Sequence, residues 1–452
     1  MKNIFRKSIG LQICILLLGF MFPNVSHGQN VIYDLAPFQS EYSLIRHYKD
    51  YVDITFSMYT CDEKGFYYID RQNNITYRAN LPCQFDVYDF RIFGDNVYFC
   101  GWKDGKTIIG WFDINDVFFF NGDIRILYFP SVTTIHDIDN GIDKFEYFQK
   151  LKVFKENGET HLVIVGNGKH IVNNIYGGGS IIVDVWTPDH IIWRFKYTMD
   201  YNNILNYEDI AVTDNYVVVT ARDNSLQSNI FYYPLPTSAG MTIFDAYGTS
   251  PIAAPRYASD RNYLQCLTNL LVTEMMNDEF VTVCKGILGD GTQATVVTYY
   301  QDPVTWPLAR YAYVPPTLPL CSYNEICYSK RNKKLYMPKY HADYIESFGA
   351  PFTQVDMYQI ANSYMVMSLD TLDIKGDAVI SATETGGPST KKVWVLDEKN
   401  TENCVNVNNV WTWQEVEVRG YQPVNQLIYQ GVLGEELLRP EIESIDMEII
   451  CE

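Results

Sequence analysis

The amino-acid sequence predicts an all-β chain built from one repeated unit, on three observations. Short β-branched and aromatic strands recur along the chain with polar turns between them. Those turns carry Gly, Asp and Asn where a tight hairpin must reverse the backbone. Long amphipathic helical patterns are nearly absent before residue 420.

The clearest unit is 87–114, VYDFRIFGDNVYFCGWKDGKTIIGWFDI, which reads as three strands separated by GDN and KDGK turns. The same grammar returns at 208–235 and 369–397: an acidic residue beside an aliphatic one, a turn containing Asp, then a β-branched strand. Weaker copies occupy 53–81, 150–186, 269–301 and 325–360. A fourth strand follows several of them, at 123–130, 191–199 and 308–315. Copies begin at intervals that suit a blade of four antiparallel strands. The expected architecture is therefore a single β-propeller of about seven four-stranded blades. Six or eight would require only merging or splitting a weak copy. A β-sandwich also shows many short strands, but regular recurrence favours the propeller. The propeller is expected over 29–452, with 420–452 as a closing or capping tail. Ring closure is left open between 411–420, 31–48 and 446–452.

Residues 1–28 read as an export signal. Lys2, Arg6 and Lys7 precede the apolar run at 13–22, and Ser26-His27-Gly28 offers small residues for cleavage. The run is about half of the roughly 20 residues that span a bilayer, and no later stretch approaches ~18 apolar residues. The product is expected in the periplasm, at the cell surface or outside the cell. Lys and Arg number 35 against 54 Asp and Glu, so losing three leader cations moves the net charge from -19 to -22. Such a surface repels phosphate backbones, which argues against nucleic-acid partners.

Nine of the ten cysteines remain after Cys14 leaves with the signal. In an oxidising compartment some should pair. Cys266 with Cys284, on consecutive strands, and Cys321 with Cys327, close in sequence, are the candidate bridges. There is no C-x-x-C, and the histidines do not cluster with the cysteines.

With its leader and the phrase GDNVYFCGW…GWFDI, the chain resembles uncharacterised exported propellers of Gram-negative gut bacteria. The resemblance spans nearly all of the mature chain. It implies the fold and the export, and no activity. The Trp-Asp dipeptide of WD40 blades and the sialidase Asp-box are missing, and Gly386-Gly387 before Trp394 is a single kelch-like echo.

Function on such a scaffold is expected in the longest loops, placed at 131–149, 166–179, 248–266, 286–293 and 338–354. Asp137, Asp139 and Asp143 surround the turn residue Gly141 and are the candidate Ca2+ ligands, although the spacing departs from an EF-hand loop. No other cofactor is expected. Gly177-Gly178-Gly179 precedes a strand, so a hairpin tip explains it better than a phosphate loop. Neither G-x-S-x-G nor H-E-x-x-H occurs. Trp102 and Tyr176, beside expected turns, and His136 and His341, in expected loops, are the candidate binding residues. No catalytic residue stands out. The reading is an exported, non-enzymatic binding or scaffold protein that takes a protein or glycan on one loop-bearing face. The alternative is a polysaccharide hydrolase or lyase with acids at the channel mouth.

Overall fold

The computed structural model describes the strands between Val31 and Cys451, one helix and the short turns between them. Residues 1–30 and several connecting segments, the longest being 235–255, 314–324 and 397–405, lie outside the described residues. The expected signal peptide falls in the first of these.

The strands form seven antiparallel sheets. In chain order their main strands span 42–80 (sheet 1), 85–128 (sheet 2), 135–198 (sheet 3), 205–259 (sheet 4), 264–313 (sheet 5), 327–359 (sheet 6) and 364–396 (sheet 7). Each sheet holds one of the seven sequence copies. The hairpins follow the turn chemistry: Gly94 takes φ 64° in the Gly94-Asp95 turn that joins Phe85–Phe93 to Asn96–Lys103.

The first strands of the sheets pack against one another in a closed circle. Tyr42–Tyr48 meets Phe85–Phe93, which meets Ile142–Glu156 and then Leu205–Val212. The circle continues through Leu271–Glu274, Cys327–Ser329 and Tyr364–Leu372, and returns to Tyr42–Tyr48. A ring of sheets with their first strands at the axis is a β-propeller.

Closure uses both ends of the chain. Tyr364–Leu372, Asp377–Glu384 and Thr390–Leu396 supply three strands of sheet 7, and Val31–Gln39 adds the fourth, with Ile32 opposite Trp394. Of the segments considered for closure, residues 31–39 supply the fourth strand and 448–451 pair beside them. Residues 406–412 lie on sheet 6 and 414–415 on sheet 5.

The C-terminal segment explains why the sheets exceed the expected four strands. It visits them in reverse order: Asn406–Thr412 on sheet 6, Gln414–Glu415 on 5, Gln422–Pro423 on 4 and Leu427–Val432 on 3. Gly434–Leu438 then joins sheet 2, Glu441–Asp446 sheet 1 and Glu448–Cys451 sheet 7. Every sheet thus gains an outer strand, and the tail circles the whole ring as a belt. A bare outer strand would present unpaired N–H and C=O groups to other chains, and the belt covers them. On sheet 2 side chains reinforce the pairing. Lys103 Nζ donates to Glu436 at 2.9 Å, Tyr128 also hydrogen-bonds Glu436, and Arg125 meets Glu435 at 2.8 Å. Leu438 is buried in the core shared by sheets 1 and 2.

That core is aromatic. Phe66 packs edge-on to Phe112 with ring centres 4.8 Å apart, and Phe99 lies 5.2 Å away. Phe99 covers Gly110, its partner on the next strand, so closely that a Cβ there would fall 2.0 Å from the ring. The helix Ile114–Phe120 caps the same cluster. Asp113 at its start accepts from the Asp116 N–H, and left-handed Asn121 ends it.

The Gly177-Gly178-Gly179 expectation is corrected here. These residues lie inside the strand Ile175–Thr187, paired with 168–170 of Glu159–Val172, because the pairing runs on past them as far as Val172 opposite Ile175. The expected loop at 166–179 is therefore mostly strand.

Gly110→Val should destabilise the fold by about 1–3 kcal/mol through displacement of Phe99, measured by denaturant unfolding. Deleting residues 406–452 strips the outer strand from all seven sheets. The truncated chain is expected to self-associate in light scattering at concentrations where the intact chain does not.

Candidate functional site

The described residues place one polar centre at the axis, where the first strands converge. Four of these strands carry a register shift at the equivalent place, immediately before Asp89, Lys150, Asp209 and Ser368. A bulge re-aims the side chains beside it, and here the polar residue after each bulge joins the centre.

Arg46 of sheet 1 is its hub. The guanidinium is 2% exposed, and all five of its N–H groups find acceptors. Nε donates to Phe90 O at 3.0 Å. Nη1 donates to Ile45 O and Ser368 Oγ at 2.7 and 3.1 Å, and Nη2 to Asp89 Oδ1 and Glu325 Oε1 at 2.7 and 2.5 Å. One side chain thus joins sheets 1, 2, 6 and 7.

The carboxylates also stitch neighbouring sheets. Asp89 of sheet 2 accepts the Leu151 N–H of sheet 3 at 3.0 Å. Asp209 of sheet 4 accepts the Val272 N–H of sheet 5 at 2.9 Å, with Glu208 beside it accepting Leu270 N–H at 2.5 Å. Glu325, just before the first strand of sheet 6, accepts Ser368 Oγ–H at 2.7 Å and the Leu369 N–H at 3.3 Å. Sheet 7 returns to sheet 1: Ser368 Oγ accepts Ile45 N–H at 3.2 Å, and Asp370 accepts His47 N–H at 2.9 Å. The recurring acid of the repeat grammar, Asp89, Asp209 and Asp370 in three copies, is this stitch.

At the centre lies a cavity of about 140 Å3, lined by Arg91, Lys150, Lys152, Asp209, Glu274 and Asp370 among others. Lys152 of sheet 3 crosses to Glu274 of sheet 5, with Nζ 2.9 and 3.0 Å from the two carboxylate oxygens. Arg91, Lys150 and Lys152 line it from sheets 2 and 3, and Asp209, Glu274, Glu325 and Asp370 face them from the rest of the ring, so neither sign dominates.

Burial and pairing split the carboxylates into two groups. Burial works against the charge of Asp89, but Arg91 and Arg46 hold its carboxyl down at about 2. Glu325 is likewise held low against burial by Arg46 and Lys150, and Glu274 by Lys152. Asp370 is held low by His47 and Arg46. The Arg46 guanidinium is raised despite its burial by Glu325 and Asp89. Glu208, between sheets 4 and 5, behaves oppositely: burial pushes it up to about 7 although Arg222 Nε lies 2.9 Å away. Burial also raises Asp209.

Of the sequence-expected binding residues in the described strands, Trp102 lies on sheet 2, and His136 and Tyr176 lie on sheet 3. Trp102 is half-buried near a strand end, opposite Asp86 and Thr107. Tyr176 is the second residue of the strand Ile175–Thr187, opposite Ile171 and next to the hairpin end. His136, expected in a loop, pairs with Ile142 in a short strand. Asp143 pairs with Ile135 and His170, because the strand Ile142–Glu156 begins before it. Asp137, Asp139, His341 and Cys321 lie outside the described residues. Among the described residues, no three His, Cys, Asp or Glu side chains form a metal-holding group, and no helix is long and apolar enough to cross a membrane. Cys327 is buried in the first strand of sheet 6. Cys266 and Cys284 are buried together, with Sγ atoms 3.1 Å apart.

No family model matches the chain, and no curated protein matches it. Several solved structures are similar to it. The β-propeller domain of Cps50 (Swd1) from Myceliophteria thermophila is 8% identical at a TM-score of 0.49, covering 81% of this chain and 99% of that one. Chaetomium thermophilum Raptor is 9% identical at 0.45, covering 85% of this chain and 29% of its own. Kluyveromyces lactis Hsv2 is 9% identical at 0.34, covering 82% and 96%. The ring of sheets itself defines the fold.

Arg46→Met leaves Asp89 and Glu325 buried without their main partner and should cost about 3–5 kcal/mol in denaturant unfolding. The pH dependence has two limbs. Asp89, Glu325 and Asp370 have depressed values, so their contribution is present above the ordinary carboxylate range near 4 and is lost as pH falls towards 2. Glu208 is raised, so its contribution is full below about 4.5 and lost as pH rises through about 7. Thermal unfolding from pH 4 to 9 should show the second loss in the parent chain and not in Glu208→Gln.

Proposed function

We propose that this chain is an exported, non-enzymatic binding or scaffold protein that holds a protein or glycan on one face of a rigid propeller. The observation that carries the reading is the commitment of the axial acids. Asp89, Asp209, Glu325 and Asp370 each accept a backbone N–H, three of them from the neighbouring sheet's first strand and Asp370 from His47 across the closing seam. Glu274 is held by Lys152. Carboxylates occupied in this way hold the ring, and glycosidic cleavage needs two that are free to face a substrate.

Exposed aromatic surface supports the binding role. Phe119 and Phe120, at the end of the helix Ile114–Phe120, are 46% and 76% exposed, and Phe119 stands edge-on to Tyr77 and Tyr68. Aromatic rings in the open are the groups that anchor protein interfaces. The leader at residues 1–28 and the net negative charge support export and argue against nucleic acid.

One observation favours the hydrolase alternative. Glu208, pushed up to about 7, has the proton affinity of a general acid. Its carboxylate is nonetheless tied to Arg222 and to Leu270 N–H between two sheets.

The test is a thermal-shift screen of residues 29–452 against glycans and Ca2+, followed by pull-down from envelope extract and a reducing-sugar assay. Saturable capture of a glycan or protein without product release is expected. Release of reducing ends that Glu208→Gln abolishes would establish the hydrolase. If a protein is captured, Phe120→Ser should weaken it by about tenfold or more while leaving the melting temperature unchanged.

A further inference from the structure

The first strand of sheet 5 is broken. Leu264–Cys266 and Leu271–Glu274 both pair with Phe280–Leu288, and residues 267–270 bend away between them. The bend lets Leu270 N–H reach Glu208 and Leu270 O accept from Thr220, so it forms the seam with sheet 4.

Cys266 and Cys284 meet across this break. Cys266 stands opposite Gly286, which puts Cys284 two residues along the same partner strand and on the same face. Leu267 N–H to Lys285 O and Lys285 N–H to Thr268 Oγ hold the two segments in that register. The Sγ atoms are in contact, with both residues inside the apolar cluster of Ala211, Val218, Phe280 and Val296. The other cysteines in described strands belong to other sheets, Cys100 to sheet 2, Cys327 to sheet 6 and Cys451 to sheet 7.

We propose that Cys266 and Cys284 are a disulfide site, oxidised as the chain folds, that clamps the broken first strand of sheet 5 to its partner strand and so fixes the seam with sheet 4. The chemistry is thiol–disulfide exchange with a small-molecule disulfide such as oxidised glutathione. One thiolate attacks the glutathione disulfide and releases one glutathione thiolate, leaving a mixed disulfide. The second cysteine thiolate then displaces the other glutathione. Two protons and two electrons leave the pair, and one oxidised glutathione becomes two thiols. Contact with Cys284 and burial push the Cys266 thiol well above its usual range, so exchange belongs to the folding chain, before the pair is enclosed.

The experiment refolds the full chain in a glutathione redox buffer, alkylates it in denaturant and maps the peptides. A Cys266–Cys284 peptide two hydrogens lighter than its reduced form is expected. Cys266→Ser and Cys284→Ser should each abolish it and leave the partner open to alkylation. The oxidised chain should melt a few degrees above the reduced one, and the double variant should show no such difference. Two free thiols after refolding, or either cysteine linked elsewhere, overturn the proposal. The chemistry is set in the tube, so a failure of the export reading leaves this result untouched, and a failure of the link leaves export untouched.

Discussion

A carboxylate or hydroxyl on one first strand accepting the backbone N–H of the next is the interaction on which the ring depends. At the axis the inner edges of the first strands carry no full-length neighbour, so N–H groups there face the centre with no ladder partner. Asp89, Asp209, Glu325, Ser368 and Asp370 supply the acceptors. Each bond does two things together: it satisfies an inward-facing donor and fixes one sheet against its neighbour.

Acceptors alone would gather negative charge in a confined space. Arg46 answers this with five directed donors, and Arg91, Lys150 and Lys152 add further positive charge from sheets 2 and 3. The planar guanidinium is suited to the hub because it reaches acceptors in four sheets and stays ionised when buried. The same network occupies the acids that an enzyme would need at this place. Structure and chemistry compete for these carboxylates, and the ring claims them.

The fold was legible because its cause is local. Alternating apolar strands and Gly-Asp or Asp-Gly turns are written into each copy, and the seven copies fall one to a sheet. The polar centre was half visible: the recurring acid marks Asp89, Asp209 and Asp370, but nothing local says that it bonds to the next copy. Arg46 was invisible, since its sequence neighbours Ile45 and His47 give no hint of Asp89, Glu325 and Ser368. The belt was hidden for a related reason. Strands of two residues such as Gln414–Glu415 and Gln422–Pro423 carry no periodic signal, and their pairing spans a hundred residues or more. Gly177-Gly178-Gly179 misled because a run of glycines is ordinarily a turn, and only pairing to 168–170 keeps it extended.

The belt also sets a timetable. Synthesis proceeds from the amino end, so all seven sheets are made before the segment that covers their rims exists. That segment reaches sheet 6 first and finishes on sheet 7, beside the strand that began the fold. Shielding of the rim therefore arrives last and arrives sheet by sheet. A chain that stops before Asn406 would hold a nearly complete ring with all its rims bare, and would be marked by its stickiness as unfinished.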